Sequence, residues 1–130
     1  MPVPITGLYA ALMFLIVLWL GFQVGSTRNR TRISILHGDD IDLAEKIRRH
    51  ANFTENVPLV LILMTVVELN GGAPILLHGC GITLVAARIA HPLGLHHDNI
   101  RHPLRALGAL GTLLVTLVLA ATAALQFLYA

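Results

Sequence analysis

Arg48, Asn52 and Glu55 are spaced four and three residues apart, so they share one face of any helix that contains them. The guanidinium offers five donors in a fixed fork, the amide both donates and accepts, and the carboxylate only accepts. Together they match a zwitterionic ligand, with Arg48 on a carboxylate and Glu55 on an amine. The same residues can equally satisfy one another, Arg48 reaching Glu55 through Asn52, as glue within or between helices. Spacing alone gives the two readings equal standing. Arg49 and His50 point elsewhere on the helix and are read as interfacial side chains reaching water. Glu68, at the other end, is read as a boundary carboxylate.

The element that carries this stripe is itself unusual. Between Glu55 and Glu68 lie twelve uncharged residues, or about 18 Å of helix at about 1.5 Å per residue, against a hydrocarbon core of about 30 Å. If this segment crosses a membrane, the turns with Arg48, Asn52 and Glu55 must enter it or sit at its boundary shielded by protein. Charged groups at that depth face a bundle interior or a wet cavity.

The rest of the chain requires a membrane. Of its 130 residues 55% are hydrophobic and 12% charged, and the apolar residues come in long blocks separated by compact polar patches. Four spans follow, in a single domain over residues 1–130. The first covers Val3 to Val24. The second starts near Asp42, an N-cap candidate with Glu45 three residues on, and runs to Leu69, where Asn70-Gly71-Gly72 ends it. The third runs from Ala73 to His91, with Pro74 in its first turn and Pro92 and Gly94 as stops. The fourth opens at Pro103 and stays uncharged from Ala106 to Ala130. The fold class is an all-α membrane protein, a bundle of four transmembrane helices.

The Arg28–Arg49 and Arg88–Arg105 regions fall on one side and hold all nine Lys and Arg residues. The positive-inside tendency places that side in the cytoplasm and both termini outside. Met1–Pro4 carries no basic side chain while arginines follow the first block, the reverse of a secretory signal, so this block is read as a retained helix. Tyr9 and Tyr129 are read as interface anchors, and the single Cys80 as packing material. Small residues at four-residue spacing, Gly108, Thr112, Thr116, Ala120 and Ala124, with Gly79, Thr83 and Ala87 in span three, permit close helix approach within a bundle or between copies.

Several classes recede. The basic excess is only two charges, and no motif for nucleic acid is present, so no nucleic-acid partner is expected. His91, His96, His97 and His102 gather around one loop but lack an i, i+4 pair and a cysteine, and no metal is expected. The third and fourth spans are read as lacking internal ionisable groups to line a transport path.

The run Arg48-Arg49-His50-Ala51-Asn52-Phe53-Thr54-Glu55-Asn56-Val57-Pro58 resembles the R-x-x-x-N-x-x-E-x-x-P signature of the MAPEG family, the membrane-associated proteins in eicosanoid and glutathione metabolism. Ile100-Arg101-His102-Pro103-Leu104-Arg105 resembles the stretch that opens that family's fourth helix. The likeness covers essentially the whole chain and is of the bacterial type, which implies an inner-membrane location.

The resemblance implies a homotrimer that binds glutathione as co-substrate between subunits near the cytoplasmic face. Arg48, Asn52 and Glu55 would hold the tripeptide. Arg105, with Arg101 as the lesser alternative, matches the arginine beside the thiol, and Arg30 or Arg28 the basic residue after span one. The implied activity is a transferase or peroxidase that directs the thiol at lipophilic small molecules arriving from the membrane lipid. The alternative is a non-catalytic member that binds lipid or acts as a scaffold. One departure stands out: His91 and Leu95 occupy positions where well-studied eukaryotic members carry tyrosines, leaving His91 as the substitute hydrogen-bond donor.

Overall fold

Each apolar block becomes one helix, because a helix satisfies its own backbone polar groups where water is absent. The computed structural model describes residues 2–129. They form α1 (Pro4–Thr31), α2 (Ile41–Leu69), α3 (Pro74–Gly94) and α4 (Pro103–Leu128). All four are long and apolar enough to cross a membrane. Met1, and Ala130 at the expected end of span four, lie outside the described residues.

Side chains from all four helices build the core, among them Met13 and Leu20 of α1, Val57 and Met64 of α2, Leu77 and Leu84 of α3, and Val115 and Leu119 of α4. The outer surface is apolar too: Phe14, Leu15, Phe22, Leu110, Leu114 and Leu117 are exposed. Patches of this size on a soluble monomer would be sticky; in lipid they are the natural exterior. α1 packs on α2 and α3, and α4 packs on the same pair.

Two polar ties fix the end of the bundle remote from the stripe. The carboxylate of Glu68 accepts the backbone N–H groups of Ile5 at 2.8 Å and Thr6 at 2.7 Å. It thus caps the start of α1 from another helix, where the first N–H groups have no partner of their own and the helix dipole favours an anion. Gln126 of α4 donates to the carbonyl oxygens of Val67 and Asn70 at the end of α2. The start of α1, the α2–α3 turn and the end of α4 therefore meet at one end, and the stripe lies toward the other.

Several sequence expectations need correction. α1 continues past Val24 to Thr31, because its last turns need no apolar side chains once beyond the hydrocarbon and Arg28 is engaged there, donating to the carbonyls of Ile33 and Leu36. The N-cap of α2 is Asp40, whose Oδ1 accepts from the Leu43 N–H at 2.7 Å. Asp42 instead lies in the first turn, bridging Arg30 and Lys46. α3 runs through Pro92 to Gly94, since a proline in the last turn removes one helical hydrogen bond without ending the helix. Tyr9 is not an interface anchor. It is buried, with its hydroxyl 3.0 Å from His78 Nδ1 and 3.2 Å from the His78 carbonyl, which is how a phenol satisfies its polar tip inside a bundle. Tyr129 lies exposed.

Glu68→Ala strips both acceptors from the α1 terminus. It is expected to destabilise the protein by about 1–3 kcal/mol, the value of hydrogen bonds to a charged group, measured as a lower Tm of the detergent-solubilised chain.

Candidate functional site

On α2, Arg48, Asn52 and Glu55 do share a face, but they divide their attention. Arg48 Nη1 and Nη2 each lie 3.4 Å from an oxygen of Glu55, and the two side chains are 57% and 55% exposed. A charge-assisted bond is ordinarily about 2.7–2.9 Å, so this is a loose pair open to exchange. Asn52 turns inward. Its Oδ1 accepts from Arg88 Nη1 at 3.0 Å, and its backbone carbonyl accepts from Asn56 Nδ2.

Arg88 is the residue that sequence reasoning passed over, and the reading of α3 as free of internal ionisable groups is corrected by it. Its side chain is 2% exposed, and its second nitrogen, Nη2, donates to the Gly108 carbonyl of α4 at 3.0 Å. A buried guanidinium needs such partners, because an unmet charge in a medium of low polarity is costly. Its Nε–H is buried without a partner among the described residues. One arginine on α3 thereby ties α2 to α4. The sequence signal available was its position on the His91 side of an apolar span, which resembles a boundary charge.

α3 and α4 approach closely at two glycines. A side chain at Gly108 would come within 2.5 Å of His91 Cβ and 2.7 Å of the Ala87 carbonyl, and one at Gly94 would collide with the backbone of Arg105. The end of α3 is thus pressed on the first turn of α4, fixing where Arg105 leaves its helix. His102 supplies the cap of that helix, with Nδ1 accepting from the Leu104 N–H at 3.3 Å.

The α3–α4 loop is strapped to α2 by Glu45 and Arg49. Glu45 Oε1 accepts from the His97 backbone N–H at 2.9 Å and lies 2.7 Å from His97 Nδ1. Arg49 pairs with Glu45 at 2.9 Å and donates to the Leu95 carbonyl through Nε and Nη2. Its side chain is 15% exposed, so the expectation that Arg49 reaches water is corrected. Closing a loop over a membrane surface demands partners for its backbone, and this pair supplies both kinds, Arg49 donating to the Leu95 carbonyl and Glu45 accepting from the His97 N–H. His50 packs near Gly21 of α1 rather than extending freely.

Two cavities adjoin. One, of about 330 Å³, is lined by Arg48, Asn52, His91 and Arg105, together with Glu45 and the apolar Ile100. The other, of about 220 Å³, lies between α2, α3 and α4 and is lined by Asn52, Asn56, Arg88, His91, Thr112 and Thr116. Asn52 and His91 belong to both. The larger volume is at the low end for small-molecule sites, about 300–1,000 Å³. It brings together two arginines suited to anionic groups, an amide, an imidazole and an apolar wall.

Four of the seven sequence candidates, Arg48, Asn52, His91 and Arg105, therefore line one cavity. Glu55 is not part of the lining and pairs with Arg48, which is. Arg30 does not join them: its side chain is exposed and pairs with Asp42 at 3.1 Å. Arg101 is exposed on the loop and is not part of the lining.

The sequence profile of the MAPEG family matches residues 6–125. Among characterised sequences, the chain is 34% identical over 116 residues to the protein described as inner membrane protein YecN of Escherichia coli strain K12, covering 89% of this chain and 88% of that one. The same description and the same figures hold for the protein of Escherichia coli O6:H1 strain CFT073.

The strap makes a local prediction. Glu45→Ala removes the acceptor of the His97 amide, so hydrogen exchange at residues 95–99 should accelerate while exchange in the α1 core stays slow, read by mass spectrometry of peptic fragments.

Proposed function

The chain belongs to the MAPEG family, and on that premise we propose that it binds glutathione in the cavity beside Arg48 and Arg105 and activates its thiol toward lipophilic electrophiles. The observation that carries this reading is the convergence of Arg48, Asn52, His91 and Arg105 on one cavity. Four residues chosen by sequence for a thiol-tripeptide site are neighbours in space although they come from three helices.

The division of labour follows from charge. Arg48 takes a carboxylate of the tripeptide, which displaces Glu55 from their loose 3.4 Å pairing and frees Glu55 for the ammonium. Arg105 faces the sulfur. A free thiol has a pKa of about 8.5 and is mostly protonated at neutral pH, whereas the thiolate is the nucleophile. A guanidinium at short range favours the anion by about 1–3 pKa units. The proton leaves to solvent at the membrane face, and the thiolate sulfur forms a bond to the electrophilic carbon as the leaving group departs with its electron pair. The His91 imidazole offers a hydrogen bond to the same region. The apolar Ile41, Leu95 and Ile100 on the cavity wall suit a substrate delivered from lipid.

A homotrimer belongs to the same proposal. Half-exposed charges such as Arg48 and Glu55 near lipid call for cover by protein. The Gly79–Thr83 ladder of α3 supports it, opening on an apolar groove of about 240 Å³ against α4 rather than packing inside the chain. The name of the Escherichia coli relative supports an inner membrane, and the clustering of basic residues at the site end supports a cytoplasmic site with the termini outside.

The closed Arg48–Glu55 pair favours a second reading, a non-catalytic member in which the stripe is structural and the groove holds lipid or another protein. The two separate by experiment. Saturating reduced glutathione should raise the Tm of the solubilised protein, and Arg48→Ala should abolish that rise. Turnover of a model lipophilic electrophile should fall by about 10²-fold or more in Arg105→Ala. A Tm indifferent to glutathione would refute the ligand, and turnover retained in Arg105→Ala would refute the assigned thiol activator.

A further inference from the structure

We infer that Arg88 is a positioning residue that fixes the amide of Asn52 with its nitrogen toward the ligand, so that the ligand atom at Asn52 must be a hydrogen-bond acceptor. The inference rests on the glutathione reading only for the identity of the ligand. The orientation itself comes from the side chains.

An arginine has donors and no acceptor. Facing the Asn52 side chain at 3.0 Å, its Nη1 can be met only by the amide oxygen, because the amide nitrogen would oppose donor to donor. The choice between the two ends of an asparagine, which electron count alone rarely settles, is here settled by chemistry. Arg88 cannot rotate away, since Nη2 is held by the Gly108 carbonyl and the side chain is 2% exposed.

The consequence appears at the other end of the amide. Asn52 Nδ2 makes no hydrogen bond to protein among the described residues, and it is not among the buried polar atoms left without a partner. Its two N–H groups are therefore unclaimed and reachable in a residue that lines both cavities. Whatever docks there must bring a carbonyl or carboxylate oxygen. An ammonium is disfavoured at Asn52, because the free end of the amide would oppose it donor to donor while the oxygen is turned to Arg88.

This sharpens the assignment of the stripe. Of its three members only Glu55 can take the amine of a zwitterion, while Arg48 and Asn52 both require oxygens. The tripeptide is thereby polarised along α2, with oxygens over the Arg48–Asn52 turn and nitrogen over Glu55. Because Gly108 stands three residues, less than one helical turn, after Arg105, the same guanidinium also holds the oxygen-binding part of α2 in register with the helix that carries the thiol-facing arginine.

Asn52→Asp gives the decisive test, with Arg88→Lys as the second variant. The aspartate keeps an oxygen toward Arg88 and gains a charge opposite it, but it has no N–H to offer the ligand. Unfolding of the full-length protein without ligand should then occur at or above the wild-type Tm. Binding of reduced glutathione, measured by isothermal titration calorimetry, should weaken about tenfold or more. In Arg88→Lys, which retains the charge but cannot span both oxygens, binding should weaken similarly. Undiminished binding in Asn52→Asp would overturn the proposal, as would slow solvent exchange of the wild-type Asn52 side-chain N–H protons, read by NMR, since that shows the nitrogen rather than the oxygen facing Arg88. If the wild-type protein binds no glutathione, the reading under Proposed function fails, while solvent exchange of the Asn52 side-chain N–H protons in the ligand-free protein still decides the amide orientation.

Discussion

The mismatch between the apolar length of α2 and the thickness of a membrane governs this molecule. Twelve uncharged residues between Glu55 and Glu68 give about 18 Å of helix, and the remaining turns must take polar side chains toward hydrocarbon depth. Such groups persist only when protein meets them. At the far end Glu68 is spent on the first N–H groups of α1. At the near end Asn52 is met by Arg88, and Arg48 and Glu55 hold each other loosely. The tightly held member positions the stripe, and the loosely held ones remain free to bind.

Arg88 can do this only because the helices come close enough. The contact of α3 with α4 at Gly108 brings a backbone carbonyl within reach of the guanidinium, and the contact at Gly94 sets the backbone of Arg105. The Thr112 hydroxyl donates to the same Gly108 carbonyl at 2.8 Å, so that oxygen is shared by a side chain of its own helix and one of its neighbour. The loop joining these helices is strapped to α2 by Glu45 and Arg49, which closes one wall of the larger cavity. Cavity, strap and buried arginine thus depend on one another, and all lie at the end of the bundle where the basic residues gather.

Four helices and the Arg48–Asn52–Glu55 face were legible because both follow from periodicity and block length, which a chain in lipid must obey strictly. The convergence of His91 and Arg105 on that face came from the family resemblance rather than from spacing. What escaped reading shares one physical feature: charge at a helix end looks the same in sequence whether it reaches water or turns inward. In sequence Arg88 looks like a boundary charge and Arg49 like a side chain that reaches water, yet Arg88 is buried and Arg49 nearly so. The same ambiguity moved the α2 cap from Asp42 to Asp40, two aspartates either of which can cap, with tertiary pairing to Arg30 and Lys46 claiming the former. Tyr9 reads as an interface anchor because it falls near the membrane face opposite the stripe, but a histidine on another helix offers its hydroxyl a partner.

The central claim is that the loosely paired Arg48 and Glu55 part to receive a zwitterion whose thiol comes to rest beside Arg105. An electron cryomicroscopy map of the protein in lipid nanodiscs with saturating reduced glutathione tests it directly. The account predicts tripeptide density in the cavity lined by Arg48, Asn52 and Arg105, the Arg48–Glu55 contact open, and the sulfur next to the Arg105 guanidinium. A map in which the Arg48–Glu55 contact stays closed, and that cavity is filled by an acyl chain or by a neighbouring subunit, would contradict it.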